Sequence, residues 1–262
     1  MNLNNKVAIV TGGAMGNGYG ISEVFLKLGA TVVILDYSDK LGESLNKLGN
    51  ISKNIIGYKV DITNKDLVNK IIDDVYKRFN KIDILVNNAG VAKLVRFEDM
   101  TDEIRDFHID INIKGTWNVT KAVYPYMVKN NYGKIVNLSS VTGPKVADPG
   151  EVAYATTKAA LIGFTKSLAM EGANHNITVN AILPGYIMTP MVEGIAKDSD
   201  TNNPDNVIKG IADGIPMKRL GTIEELGNLA AFLASDLSNY ITGSEFVIDG
   251  ASTLPETRSV GV

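Results

Sequence analysis

Short apolar runs recur along the chain, and longer stretches with a helical period separate them. The first run is Val7 to Val10, followed by a glycine cluster and then by apolar residues at helical spacing from Ile21 to Leu28. The pattern returns at Thr31 to Leu35, Ile55 to Val60, Ile82 to Val86, Lys134 to Leu138, Ile177 to Leu183 and Glu245 to Ile248. Each run stops at polar or glycine residues, such as Asp36, Asp61, Asn87-Asn88-Ala89-Gly90, Ser139-Ser140, Pro184-Gly185 and Asp249-Gly250. These runs read as seven buried strands. Between them Asp66 to Phe79, Thr101 to Lys129, Val152 to Glu171 and Ile223 to Ala234 read as helices, with apolar residues three and four apart.

Alternation of strand and helix over the whole length predicts an α/β fold, a doubly wound parallel sheet with helices on both faces and right-handed crossovers. No linker, repeat or charge block divides residues 1–262, so a single domain is expected. One interval, Tyr186 to Arg219, is too long for an ordinary connection. It is expected to carry short helices and to act as a substrate lid.

Composition narrows the chemistry. Lys and Arg total 26 against 29 Asp and Glu, a net charge of −3, which speaks against a basic nucleic-acid binder. With 45% hydrophobic residues the chain can bury a sizeable core. It has no cysteine and only His108 and His175 as imidazoles, so no metal centre is expected. The longest apolar run, Leu229 to Ala234, falls far short of the roughly 18 residues that span a bilayer. A cytoplasmic protein without membrane partners is the expectation.

The turn after the first strand reads Thr11-Gly12-Gly13-Ala14-Met15-Gly16-Asn17-Gly18. Glycines there let the chain turn sharply into a helix whose N-terminus faces a pyrophosphate, and a plain tight connection is the other reading. Asp36 closes the second strand 18 residues beyond Gly18, near the offset at which a carboxylate accepts the hydroxyls of an adenosine ribose. It would repel a 2′-phosphate, and no cation lies between Gly12 and Gly20, so NAD(H) is expected over NADP(H). Capping of the next helix is the alternative role for Asp36.

Tyr154 and Lys158 are four residues apart in a helical segment, which puts phenol and ammonium on one face. A cation beside a phenol lowers its pKa by about 1 to 3 units, toward the range of a general acid/base for a carbonyl and alcohol pair. Ser140, at the end of the fifth strand, is placed to hold a substrate oxygen beside that phenol, unless Ser139-Ser140 merely forms a turn. Asn112 is a poor helix residue without a special partner, and its amide is expected to support a water or the Lys158 ammonium, or else to pack locally.

Together these motifs resemble the short-chain dehydrogenase/reductase family over essentially the full length. The match covers Thr11-Gly12 through Gly18, Asp61, Asn87 to Gly90, Asn112, Ser140, Tyr154 with Lys158, and Pro184-Gly185 followed by Thr189. The resemblance implies a Rossmann-like fold, with Tyr154 exchanging the proton, Lys158 lowering its pKa and holding the nicotinamide ribose, Ser140 orienting the carbonyl oxygen and Asn112 keeping a relay water. It implies that Gly12, Met15, Gly16, Asn17 and Gly18 face the dinucleotide. Asp61 and Ile62 would touch adenine, Asn88, Ala89 and Gly90 the adenosine side, and Pro184, Gly185, Ile187 and Thr189 the carboxamide end. A homotetramer is implied too. Asn17 replaces the usual aliphatic residue between the last two glycines, and Ala251 the second glycine after Asp249.

Asp106-Phe107-His108, Trp117 to Lys121, Asp148-Pro149-Gly150 and the tail Thr253 to Thr257 are similar to a bacterial subgroup, of UcpA type and akin to 20β-hydroxysteroid dehydrogenases. His108 is read as structural. The interval from Ile187 to Met217 offers Met188, Met191, Val192, Ile195, Val207, Ile208, Ile211 and Ile215, which either line a hydrophobic ligand or pack on the body. Few cations punctuate it, which argues against phosphorylated sugars. A hydroxysteroid is therefore the leading substrate expectation, with a 3-oxoacyl thioester or another small ketone as the alternative. A noncatalytic NAD(H) sensor or scaffold is the rival of another class, and the complete set Asn112, Ser140, Tyr154 and Lys158 argues against it.

Overall fold

The computed structural model describes residues 1–201 and 203–255, with the backbone alone at Met191, Ile195 and Asp198. The side chains of Met191 and Ile195 and the tail residues Glu256 and Thr257 therefore lie outside the described residues. Seven strands form one sheet: β1 Val7–Thr11, β2 Thr31–Asp36, β3 Ile55–Lys59, β4 Ile84–Asn87, β5 Gly133–Leu138, β6 Ile177–Pro184 and β7 Glu245–Ile248. Their order is β3-β2-β1-β4-β5-β6-β7, and every pairing is parallel. The fold is the Rossmann-like single domain that the strand and helix alternation predicts.

The helices are α1 Gly16–Lys27, α2 Leu41–Leu48, α3 Lys65–Phe79, α4 Asp102–His108, α5 Thr116–Asn130, α6 Val152–Gly172, α7 Pro190–Ser199, α8 Pro204–Asp213 and α9 Ile223–Ala234. Because strand side chains alternate between faces, each strand feeds two cores. Ala8, Val10, Val32, Ile34, Ile84 and Val86 pack with α1 and α9, around Phe25 and Leu226. Val7, Ile9, Val33, Leu35 and Leu85 pack with α3 and α5, around Ile72 and Val123. Glycine sets the closeness of α1 to α9: a Cβ on Gly20 would stand 2.5 Å from the Ile223 Cβ, and one on Gly227 2.7 Å from Val24.

Two expectations need correction. The helix expected from Thr101 to Lys129 is not continuous, since Ile109–Gly115 between α4 and α5 winds as a π-helix. Asn112 lies in that wide turn, and its side chain bonds residues outside the helix. Helix α2 was not expected, because Gly42 and a polar majority mask its apolar positions Leu41, Leu45 and Leu48. His108 is structural as read: its Nε2 accepts from the Lys93 amide at 3.0 Å, and its Nδ1 lies 2.8 Å from the Ile104 carbonyl.

The interval after β6 carries α7 and α8. It is pinned at its neck, where the Met188 amide donates to the Gly221 carbonyl at 2.8 Å and the Gly221 amide to the Tyr186 carbonyl at 3.0 Å. Beyond β7 the chain makes a tight turn on Asp249, and the Met217 amide donates to the Gly250 carbonyl at 3.4 Å. Ala251 in that turn has φ 69°, a left-handed conformation that costs a residue with a Cβ about 1–2 kcal/mol. Ala251→Gly is expected to raise stability by about 1 kcal/mol after the entropy of a freer unfolded chain is offset. Thermal unfolding should show a Tm higher by about 2–4 °C; an unchanged or lower Tm would show that the turn stores no strain.

Candidate active site

Strand order reverses between β1 and β4, so the crevice of the sheet opens beyond their carboxyl ends. Both ends are stitched there. The Thr11 hydroxyl accepts from the amides of Asn88 and Ala89, each at 3.0 Å, and the Asn88 side-chain amide donates to the carbonyls of Thr11 and Gly12, each at 3.0 Å. Gly12 turns at φ 65°, where a Cβ would lie 2.9 Å from the Ala89 Cα. A Cβ on Gly18 would lie 2.1 Å from the Gly12 carbonyl oxygen. The residues expected against the adenosine thus first hold the glycine turn in place.

Helix α1 begins in this crevice with Met15 as an extended N-cap residue and no side-chain cap. By contrast α3, α4, α7 and α9 are capped by Asn64, Thr101, Thr189 and Thr222. First-turn amides of α1 therefore suit an anion such as a pyrophosphate. Asn17 stands in this first turn, and its Oδ1 is buried without a partner where the family usually carries an aliphatic side chain.

Asp36 is buried at the end of β2. Its Oδ2 accepts the Ala14 amide and its Oδ1 the Ser38 amide, both at 2.8 Å. It is not the cap of α2, whose N-cap is Lys40. The carboxylate clamps β2 to the glycine turn, and each oxygen keeps acceptor capacity beyond its one amide bond. Asp61 holds its own turn, accepting the Thr63 amide and hydroxyl at 2.8 Å. Ile62 is buried beneath Gly115, whose Cβ would meet it at 2.6 Å.

On the other side of the crevice, Tyr154 and Lys158 share one face of α6, with the Lys158 Nζ 5.6 Å from the centre of the phenol ring. The Ser140 hydroxyl stands beside the Tyr154 phenol, close enough to oppose the rise in its pKa. Two reciprocal bonds tie α6 to the end of β5: Lys158 Nζ donates to the Leu138 carbonyl at 2.8 Å, and the Ser139 hydroxyl donates to the Lys158 carbonyl at 2.8 Å. Ser139 therefore belongs to the scaffold and Ser140 faces the phenol. A Cβ on Gly90 would stand 3.4 Å from Lys158 Nζ and 3.2 Å from Asn112 Oδ1, which brings the β4 end beside the same group.

The expected charge balance needs revision. Burial pushes the Tyr154 phenol above its ordinary value, and the Ser140 hydroxyl lowers it by less. Burial likewise pulls Lys158 down to about 8. Desolvation thus dominates both groups in the protein alone, and it is the Ser140 hydroxyl, not Lys158, that opposes it at the phenol. The Asn112 side chain takes the local alternative. Its Oδ1 accepts the Val91 amide at 2.8 Å, and its Nδ2 donates to the Val91 carbonyl at 3.0 Å and to the Thr157 hydroxyl at 2.9 Å. Both amide hydrogens are spent locally, so Asn112 positions the Gly90–Val91 loop against α6. Thr157, buried and absent from the expected set, is its partner; in the sequence only its place one residue before Lys158 points to it.

The third wall follows β6. The Val141 amide donates to the Pro184 carbonyl at 3.1 Å, and Gly185 lets Asp249 come within 2.7 Å of where a Cβ would be. Ile187 is buried, and Thr189 caps α7 through the Val192 amide at 3.4 Å. Gly16 of α1 faces the Thr189 methyl at 3.6 Å, measured from a built Cβ, so this wall meets the glycine turn. Beyond it lies a cavity of about 310 Å³. Val207, Gly210, Ile211, Gly214 and Ile215 line it together with Tyr186 and Ser252. This arrangement brings together the glycine turn, Asp36, Ser140, Tyr154, Lys158 and Thr189 around one crevice.

Comparison with known proteins agrees with this architecture. A family profile described as enoyl-(acyl carrier protein) reductase matches residues 12–253. The chain is 52% identical over 260 residues to oxidoreductase UcpA of Salmonella typhimurium, covering 99% of both chains. It is 39% identical over 251 residues to the 3-oxoacyl-[acyl-carrier-protein] reductase FabG of Thermotoga maritima, covering 95% of this chain and 98% of the relative. The crystal structure of L-sorbose reductase from Gluconobacter frateurii with NADPH and L-sorbose superposes with a TM-score of 0.92 at 31% identity, covering 98% of each chain. With its glycine turn at the sheet's switch point and a tyrosine and lysine on one helix face, the chain is an oxidoreductase that belongs to the short-chain dehydrogenase/reductase family.

Proposed function

We propose that the protein interconverts a secondary alcohol and a ketone with NAD(H), and that Tyr154 is the proton donor and acceptor. The observation that carries this reading is the Tyr154 phenol beside the Ser140 hydroxyl, with the buried Lys158 ammonium 5.6 Å from its ring. When bound, a nicotinamide dinucleotide supplies or takes the hydride. Ser140 holds the substrate oxygen against the phenol, and Tyr154 gives up its proton as that oxygen becomes an alcohol. A phenol held protonated by burial is ready as an acid for reduction. Lys158 is fixed by the Leu138 carbonyl and presents its remaining donors to the nicotinamide ribose and the phenol. Asn112 is a positioning residue acting through Val91 and Thr157.

The dinucleotide seat is Gly12, Met15, Gly16, Asn17 and Gly18 at the pyrophosphate, Asp36 at the adenosine ribose, and Asp61, Ile62, Asn88, Ala89 and Gly90 beside the adenosine. Pro184, Gly185, Ile187 and Thr189 close the carboxamide end. NAD(H) is preferred because the buried Asp36 carboxylate would face a 2′-phosphate. The 186–219 interval serves as the lid, and its apolar wall favours a hydrophobic ketone of the hydroxysteroid kind. A 3-oxoacyl thioester is the second reading, favoured by the 39% identity to a 3-oxoacyl-carrier reductase. Trp117 is 57% exposed and packs on Phe164 at 5.3 Å, an aromatic surface suited to a second subunit of a homotetramer. A cytoplasmic location completes the reading.

Tyr154→Phe is expected to lower ketone reduction by at least a thousandfold while NADH binding, followed by fluorescence titration, stays within about twofold. Retained turnover would remove Tyr154 from the reaction. In Asp36→Ala the ratio of NADPH to NADH dissociation constants should fall by about tenfold, with weaker binding of both because the Ala14 amide loses its acceptor; an unchanged ratio would take Asp36 out of cofactor choice. Ketone reduction should be level below pH 8 and decline as pH rises through about 8, where Lys158 loses its proton in the cofactor-free protein. A kcat/KM profile that stays level to pH 10 would separate the ammonium from catalysis.

A further inference from the structure

The cavity beyond Gly185 has a chemistry of its own, and the inference drawn from it rests on the oxidoreductase reading above. Its α8 wall is neutral. Val207 and Ile211 face the cavity, and Lys209 lies two positions from each, which at 100° per residue puts it on the opposite side of the helix, where it is exposed. The cations at the end of the interval are engaged elsewhere. Arg219 grips Glu225 with two bonds of 2.6 and 2.9 Å, and Lys218 Nζ donates to the Asp213 carbonyl at 2.8 Å.

The Ser252 part of the lining is polar and backed by negative charge. Ser252 donates its hydroxyl hydrogen to Asp249 Oδ2 at 3.2 Å, so its oxygen faces the cavity as an acceptor. Asp249 also takes the Ala251 amide at 2.9 Å and the Thr253 amide and hydroxyl at 2.9 and 2.8 Å. Burial opposes its charge, yet these hydrogen bonds outweigh burial and hold the carboxyl below its usual range, so it is an anion at neutral pH. A carboxylate or phosphate entering the cavity would meet that anion with no cation among the described lining residues.

We propose that the substrate is an uncharged ketone, or the matching secondary alcohol, that carries a hydroxyl remote from the reacting carbon, with that hydroxyl donating to Ser252. The apolar stripe of α8 covers the carbon frame, and Asp249 keeps Ser252 turned as an acceptor. The same lining disfavours any substrate whose charged group has to enter this cavity.

NADH consumption with cyclohexanone, 4-hydroxycyclohexanone and 4-oxocyclohexanecarboxylate tests this on one carbon frame. The hydroxyketone is expected to have a kcat/KM about tenfold above cyclohexanone, the worth of one buried hydrogen bond, and the carboxylate about tenfold below it. Ser252→Ala should bring the two neutral ketones to within about twofold of each other, and Ser252→Thr, which keeps the hydroxyl, should retain the preference. A carboxylate reduced as well as the hydroxyketone, or an unchanged preference in Ser252→Ala, overturns the proposal and leaves the oxidoreductase reading standing. If no ketone is reduced, saturation-transfer NMR with NADH present decides. Binding of the hydroxyketone that is lost in Ser252→Ala supports the seat while removing the catalytic reading, and no binding overturns both.

Discussion

Everything at the crevice depends on how β1 and β4 are joined where the strand order reverses. Neighbouring strands part there, and their last peptide groups lose ladder partners that burial does not allow them to lose. Thr11 and Asn88 supply the replacement, one hydroxyl serving two amides and one side-chain amide serving two carbonyls. Because the same two residues fix Gly12, the direction in which α1 leaves the sheet is set by that joint. The uncapped start of α1, Asp36 on the Ala14 amide and Gly16 against Thr189 all take their places from it.

The catalytic side is governed by a different balance. Burial disfavours the charged forms of both the phenol and the ammonium, and at the phenol the Ser140 hydroxyl opposes it. A neutral phenol beside an ammonium that gives up its proton near pH 8 is what the protein alone holds in this low-dielectric site. Groups that restore the balance have to come from the ligands, so the proton chemistry is coupled to occupancy of the crevice. The scaffold contributes rigidity instead: the Lys158–Leu138 and Ser139–Lys158 bonds fix the helix to the strand that carries Ser140.

The strands and their ends were readable because parallel strands buried on both faces are continuous apolar runs. The crevice residues were readable because strand ends are where such runs meet polar groups. That Tyr154 and Lys158 share a helix face follows from their spacing, whereas their role was legible only alongside the glycine turn, Asp36 and Ser140. What the sequence did not disclose was where side-chain bonds override local periodicity. The π-helix around Asn112 is invisible in a pattern that stays amphipathic across it, and it reflects bonds to Val91 and Thr157 that are distant in sequence. Helix α2 was hidden by its polar majority, and the direction of the Tyr154 shift by the depth of its burial.

The neck at Tyr186, Met188 and Gly221 has an evolutionary consequence. A segment whose two ends are bonded to each other can lengthen, shorten or change composition without pulling on the strands it departs from. The 32 residues from 189 to 220, beyond that clasp, behave as an exchangeable cassette on a fixed redox frame. Close relatives with the same crevice can thereby diverge in what they accept, and grafting this cassette between them is a direct route to redesigning selectivity.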